Sequence, residues 1–455
     1  MTVCSSTSSR AFSSSRLDEH IPQTMSLLSL NDDVLGIIIS FIPSPDAWRL
    51  AQTCRYVYDA AVCQYLSIVT INSWRQVIGF SSFVLAEPSR KLYIKALEVS
   101  LRYSQEYSEC IPAFIEVLRG AGSLRSLSIE DEHDLLRSLP SLRSALAAIP
   151  NLERISYFRV GSKFLEVLTH MVSRPRYLKI SLFPYDDEVP FWHALENLTG
   201  CLETLDFSPI QSLNPGINNV WPHVHSLSVR LHDGCRSLYH LVRAFPNVRR
   251  FKLNCGGVYD TRPHWASLDE VESNFPFTLF SRVRRLLLHE DDFGDPDGLS
   301  NMVLHMLRHT SPVVLSFSTW RPRLIPHLQD LTPRLKYLKV VTHADADTEH
   351  QQSLSIARDL HGLQLTALCI CYHSSWMTEP QCDLARLLGL AQQVAATLPT
   401  LGYVGFDSSL GWRDERRVPR WFCVVSRDGD VPQLDLLSRG QGEELELRLY
   451  NLGSS

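Results

Sequence analysis

Cys369-x-Cys371-x-His373 is the strongest metal candidate in the sequence. Alternating residues of a strand share a face, so the three side chains can point the same way. A structural zinc takes four ligands, commonly in pairs with two to four residues between them. Here only three are offered, with one-residue gaps and no second Cys pair nearby. The stretch therefore reads as a half-buried strand. His223 and His225, in Trp221-Pro222-His223-Val224-His225, also share a strand face but lack a carboxylate at a diagnostic spacing. Cys255-Gly256-Gly257 is followed by no Lys-Ser or Lys-Thr, so it reads as a turn and not as a phosphate loop. There is no Gly-x-Ser-x-Gly elbow and no His-Glu-x-x-His. Arg249-Arg250 and Arg284-Arg285 lie in strand-like stretches, where solvated positions are expected. Read functionally, such pairs meet a phosphorylated or acidic partner. No catalytic residue, no metal site and no cofactor is expected.

These side chains belong to a repeated pattern, apolar-x-x-apolar-x-apolar. The copies are Leu124-x-x-Leu127-x-Ile129, Leu152-x-x-Ile155-x-Tyr157, Leu202-x-x-Leu205-x-Phe207 and Val224-x-x-Leu227-x-Val229. Val248-x-x-Phe251-x-Leu253, Val283-x-x-Leu286-x-Leu288, Leu335-x-x-Leu338-x-Val340, Leu365-x-x-Leu368-x-Ile370 and Leu401-x-x-Val404-x-Phe406 continue the series. Ile94-x-x-Leu97-x-Val99 opens it, and weaker copies begin at Pro175 and Pro312. Helix-like stretches lie between copies, at 141–148, 161–173, 234–245, 296–309, 349–361 and 380–397. Several copies follow a helix-ending signal: Pro150-Asn151, Pro246-Asn247, Pro333-Arg334 and Pro399-Thr400. One strand-helix unit cannot bury its apolar face, whereas stacked units share a continuous core.

A different pattern precedes the repeats. Leu30, Val34, Ile38 and Ile42 recur every fourth residue, and Leu35 and Ile39 widen the stripe into one apolar helix face. Ser29 or Asn31 can cap this helix, Asp32 and Asp33 favour its positive end, and Pro43 stops it. Ser44-Pro45-Asp46 starts a second helix, with Ser44 as cap and Pro45 at its first position. A third runs through Arg55 to Val62. Three helices this short hide little apolar surface, so some of it is expected to belong to a partner.

The segment resembles the F-box, whose pattern is Leu-Pro-x-Glu-Val-Leu-x-x-Ile-Phe-x-x-Leu, then Asp-Leu, Cys-Arg and an aromatic. Leu30, Asp33, Val34, Leu35, Ile38, Ile39 and Ile42 match without a gap, and Asp46, Leu50, Cys54, Arg55 and Tyr58 follow. Asn31 replaces the usual proline, and Tyr58 stands where tryptophan is common. The resemblance implies docking on the Skp adaptor of a cullin ubiquitin ligase. Leu30, Val34, Leu35, Ile38, Ile39 and Ile42 would bury against the adaptor, and Leu50 and Tyr58 would hold the three-helix unit. The repeats resemble leucine-rich repeats, which span a similar range of roughly 20–30 residues. Their usual Asn or Cys is missing, since Glu132, Ile210, Gly256 and His373 occupy those places. The likeness is to the irregular repeats of F-box proteins, including those of fungi.

The expected fold is α/β: a small three-helix F-box unit, then a leucine-rich-repeat-like solenoid of alternating short strands and helices. Residues 1–25 read as a disordered Ser-rich tail, 26–66 as the F-box-like unit, 67–410 as the array and 411–455 as a cap. In the cap, Trp421 to Val425 and Leu445 to Tyr450 read as two strands. The 455 residues are 44% hydrophobic with a net charge of −5, which implies no nucleic-acid partner. Apolar runs are too short to span a bilayer. Eleven scattered cysteines suggest no disulfide framework. Cytoplasm or nucleus, or both, is the expected location. The expected function is a non-catalytic substrate receptor of an SCF-type ligase, reaching cullin through the adaptor and holding an unknown target on the array. The alternatives are a repeat-based scaffold without ubiquitin transfer, and an enzyme built on a closed eight-stranded barrel.

Overall fold

The computed structural model of the chain describes residues 30–101, 109–131, 136, 139–182, 191–210, 219–231, 238–255, 263–289, 296–319, 322–342, 348–372, 384–407, 419–429 and 431–453. The Ser-rich tail and His373 lie outside them. The chain divides into two compact units, Met1–Ile68 and Val69–Ser455.

The first unit contains α1 (Asp32–Ser40), α2 (Ser44–Ala51) and α3 (Arg55–Ser67). Asn31 is the cap of α1, its side-chain oxygen accepting from the Val34 N–H at 2.8 Å. At the other end, the Gln64 amide donates to the carbonyls of Ser40 (3.1 Å) and Ile42 (3.0 Å). Ser44 does not cap α2 as its position suggests. Pro43 holds the cap position, and the Ser44 hydroxyl donates to the Tyr65 carbonyl at 2.8 Å, tying α2 to α3. Helix α3 runs past Val62 because Leu66 continues its buried face of Val57, Ala61 and Val62. Both α1 and α2 pack on α3. The buried set also takes in Leu35, Ile39, Ala47 and Ala51, the two alanines allowing close helix approach. Leu50 and Tyr58, expected at the centre, are half-buried, and the rings of Trp48 and Tyr65 meet nearby at 4.9 Å.

The second unit is a mixed α/β structure on a 16-stranded sheet whose strand order follows the chain. The strands are β1 (Ile68–Ile71), β2 (Ala96–Leu101), β3 (Ser126–Asp131), β4 (Arg154–Val160), β5 (Tyr177–Leu182), β6 (Thr204–Ile210), β7 (Ser226–Leu231) and β8 (Arg250–Asn254). Then come β9 (Leu268–Ser273), β10 (Val283–Leu288), β11 (Val314–Thr319), β12 (Tyr337–Thr342), β13 (Ala367–Tyr372), β14 (Tyr403–Asp407), β15 (Arg420–Ser426) and β16 (Gln433–Leu436). From β2 to β14 each pair is parallel; β14–β15 and β15–β16 are antiparallel. The sheet does not close on itself, which excludes the eight-stranded barrel.

Helices fill many of the connections: α4 (Trp74–Leu85), α5 (Ile111–Gly120), α6 (Pro140–Ala147), α7 (Ser162–Thr169), α8 (Phe191–Ala194) and α9 (Tyr239–Ala244). Further on come α10 (Pro296–Thr310), α11 (Leu328–Leu331), α12 (Glu349–Asp359) and α13 (Leu384–Thr397). They follow the sequence periodicity closely. Parallel neighbours need such crossovers.

The repeated apolar pattern becomes a register ladder. Leu97, Leu127, Ile155, Leu178, Leu205, Leu227 and Phe251 are successive partners, followed by Val271, Leu286, Leu315, Leu338, Leu368 and Val404. All of them are buried. A one-residue slip would turn this whole set to the other face. Strand β9 is not visible in the pattern because Ser273 takes the place of the last apolar residue; its buried hydroxyl is satisfied by the Phe275 carbonyl at 2.6 Å. Asn151 donates to the Gly122 carbonyl at 2.7 Å, Asn247 to Pro222 at 2.8 Å and Thr400 to Leu363 at 3.4 Å. The three occupy one repeat position. These bridges couple neighbouring units just before the strands, at the opposite end from the missing leucine-rich-repeat asparagines.

The C-terminus departs from expectation. Strand β15 forms where expected, but its partner β16 lies at 433–436, and 445–450 belongs to α14 (Arg439–Tyr450). Leu445-Glu446-Leu447-Arg448-Leu449 alternates like a strand. A capping box decides otherwise: Ser438 accepts from the Gln441 N–H while the Gln441 side chain accepts from the Ser438 N–H. Leu445 and Leu449, one turn apart, are buried, and Leu447 is exposed.

Candidate docking surfaces

In the first unit, the expected adaptor-binding stripe is divided between two faces of α1. Leu35 and Ile39 are 3% and 1% exposed, so they belong to the unit's own core. Leu30 and Ile42 are half-buried. Val34 and Ile38 are 41% and 38% exposed. Beside them stand Ile37 and Phe41, 60% and 83% exposed, which the every-fourth-residue reading passed over. The signal was present: Ile37-Ile38-Ile39 and Phe41-Ile42 put apolar side chains on more than one stripe. Val34, Ile37, Ile38 and Phe41 follow i, i+3, i+4, i+7 spacing and form one continuous row. A contiguous apolar row left in water marks an interaction site more often than an isolated exposed residue does. At the start of the same helix the Tyr56 hydroxyl of α3 donates to the Asp32 carboxylate of α1 at 2.5 Å. That hydrogen bond, with a smaller contribution from burial, raises the Tyr56 pKa.

In the second unit, aromatic contacts such as Tyr157 with Phe164 of α7 (3.7 Å) and Trp192 of α8 with Phe207 (5.5 Å) place the helices against the ladder face. The alternate residues form the opposite face. Over β11–β15 this face is covered by α14. Leu445 and Leu449 enter a cluster with Val314, Tyr337, Ala367, Cys369, Cys371 and Trp421. Gly405 makes room for this, because a Cβ there would lie 2.9 Å from the Trp421 ring. Arg284 donates to the Tyr450 carbonyl at 2.7 Å, and the Arg285 guanidinium lies over the Tyr450 ring at 5.3 Å. Lys339 pairs with Glu446 at 3.2 Å, both side chains largely buried. The Arg284-Arg285 pair, expected to be solvated, is therefore a clamp on the C-terminal helix. Burial alone would lower the Lys339 pKa; the polarisable groups of Cys369, Cys371 and Tyr450 and the charge of the Glu446 carboxylate face it, and the net direction is upward.

Elsewhere the opposite face carries rungs of charge. Lys179 meets Asp206 at 3.5 Å, and Lys252 meets Glu272 at 2.6 Å. Arg285 pairs with Glu270. Burial opposes the Glu272 charge, but hydrogen bonds from His289 and Lys252 bring its pKa down to about 2.

Among the described residues the metal candidates do not assemble, and His373 lies outside them. Cys369 and Cys371 share a face with sulfurs 3.8 Å apart, but both lie under α14. The hydrogen bond to Cys371 and then burial raise the Cys369 pKa, which keeps it a thiol. His223 and His225 precede β7, and the His225 ring nitrogen Nδ1 contacts the His223 carbonyl at 3.2 Å. Cys255 is buried, its N–H donating to the Asn274 side chain at 2.9 Å. Among the described residues no group of three metal-binding side chains comes together. No described helix is long and apolar enough to cross a membrane. No protein-family model matches the chain, and no curated protein matches it in sequence.

Proposed function

We propose that the chain is the substrate-recognition subunit of an SCF-type cullin ubiquitin ligase, with the first unit as an F-box and the second as a leucine-rich-repeat-like solenoid. The observation that carries this reading is the exposed row Val34, Ile37, Ile38 and Phe41 on a helix whose other side, through Leu35 and Ile39, is already buried. A Skp-type adaptor would cover the row in the manner of a helix laid into an apolar groove. The sheet would hold the target. Catalysis would come from proximity, which raises the target's effective concentration near the ubiquitin-carrying enzyme and needs no reactive group in this chain. A reducing compartment, cytoplasm or nucleus, suits the described cysteines, all of them free thiols.

The test is co-purification of the full chain with a Skp-type adaptor, wild type against Val34→Asp plus Ile38→Asp. Both positions are exposed, so the folded chain tolerates the charges, while a docked interface would have to bury them unpaired at a cost of several kcal/mol. Capture by wild type and loss in the variant, with circular dichroism unchanged, is the expected result. Failure of the wild type to bind removes the proposal.

A further inference from the structure

We infer that the face of the sheet opposite the helices takes an acidic protein segment across β4–β8, anchored by Arg154, Arg230 and Arg250. This rests on reading the sheet as the target-binding part of the chain. On this face Lys179, Lys252, Arg285 and Lys339 each have a carboxylate partner. Arg154, Arg230 and Arg250 are exposed and have no carboxylate partner among the described residues, though Arg154 lies within electrostatic reach of Tyr177. Glu270, the register neighbour of Arg250, is already taken by Arg285. The chain as a whole is acidic, with a net charge of −5, yet among the described residues three guanidinium groups on one stretch of one face have no carboxylate partner.

Their placement follows from the register. Arg154, Tyr177, Thr204, Ser226 and Arg250 are successive partners, so the two end arginines lie four strand spacings apart, about 19 Å at ~4.8 Å each. Arg230 is in β7 beside Asn254 of β8, about 13 Å along the strands from the Ser226–Arg250 row. Hydroxyl groups lie between, including those of Ser156, Thr204 and Ser228. The rings of Phe158 and Tyr177 and the Asp206 carboxylate, which Lys179 neutralises, share this face, and the hydroxyls can hydrogen-bond to a polar chain. The same face has one occupant already visible, α14, which combines an apolar anchor with an acidic one. Over β11–β15 it is covered by α14, through Leu445 and Leu449 on the apolar cluster and Glu446 on Lys339, with Tyr450 reaching Arg285 of β10. That helix stops short of β4–β8. The edge over β2–β3 presents Glu98 and Glu130, which would repel an acidic segment and confine it to the arginine stretch.

The experiment uses the full chain and a fluorescein-labelled peptide of about 8 residues alternating Glu with Ser, long enough to span ~19 Å when extended. Binding is read by anisotropy at low and high salt. The expected result is saturable binding that weakens with salt, at least tenfold weaker for Arg154→Ser/Arg230→Ser/Arg250→Ser, and absent for the same peptide with Gln in place of Glu. A control variant, Arg243→Ser/Arg282→Ser/Arg308→Ser, carries the same net charge and should bind as wild type. Equal binding by the two triple variants, or no preference for Glu over Gln, overturns the inference. Adaptor co-purification of each variant reports separately on the ligase reading. If the adaptor is not captured while the arginine-dependent binding persists, the surface stands and the ligase does not.

Discussion

Replacing Glu446 with glutamine should release the C-terminal helix from the sheet. Lys339 Nζ and Glu446 Oε1 are 3.2 Å apart, with side chains 20% and 18% exposed. At that distance the pair's gross attraction is about 5 kcal/mol for an effective dielectric of ~20. Much of this is offset by desolvation, so the intact pair contributes little compared with an apolar pair of the same size. Breaking it is another matter. Glutamine leaves the Lys339 ammonium buried without a counter-charge, at a cost of about 3–5 kcal/mol. The easiest relief is local opening of α14, since its other anchors are Leu445, Leu449, Tyr450 and the Arg284 hydrogen bond. Hydrogen exchange across Arg439–Tyr450, read by mass spectrometry on the full chain, should quicken at least ~30-fold, equivalent to about 2 kcal/mol. Lys339→Met combined with Glu446→Leu should restore protection to within about 1 kcal/mol of wild type. Unchanged exchange in Glu446→Gln, or a double variant as open as the single one, would refute this account of how the helix is held.

Other consequences can be measured on the same protein. Glu272 is held at about 2, so the stability it contributes is fully present above its ordinary carboxylate pKa and is lost as pH falls toward 2; Glu272→Gln should be less stable than wild type at pH 5, with the difference vanishing near pH 2 in acid-unfolding curves. Asn247→Ala removes the bridge to Pro222 and should lower stability by about 0.5–1.5 kcal/mol, seen as a lower Tm. Ile39→Ala, at a buried site, should cost about 2–5 kcal/mol and speed exchange throughout 32–67. Phe41→Ala, at an 83% exposed site, should shift stability by less than about 0.5 kcal/mol yet weaken adaptor binding by more than ~2 kcal/mol.

Strand positions were legible in the sequence because the sheet ladder demands an apolar residue at fixed offsets in each copy. Even the weak copies at Pro175 and Pro312 became β5 and β11. What escaped had a physical reason in each case. In β9, Ser273 satisfies its hydroxyl locally and so breaks the pattern without breaking the strand. In α14, strand-like alternation was overruled by a capping box three residues long in its reach. On α1, apolar identity alone could not say which side chains the unit keeps for itself; that depends on where α3 packs, and α3 takes Leu35 and Ile39 and leaves Ile37 and Phe41 in water. The arginines at 284 and 285 read as solvated because their partner, α14, is distant in sequence and comes back over the sheet only in the folded chain.

The most direct test of the proposed role is a hydrogen-exchange footprint of the full chain with and without a purified Skp-type adaptor. The account predicts slower exchange in α1, centred on Val34–Phe41, with β2–β14 unchanged. No protection anywhere, or protection confined to the sheet, would contradict it.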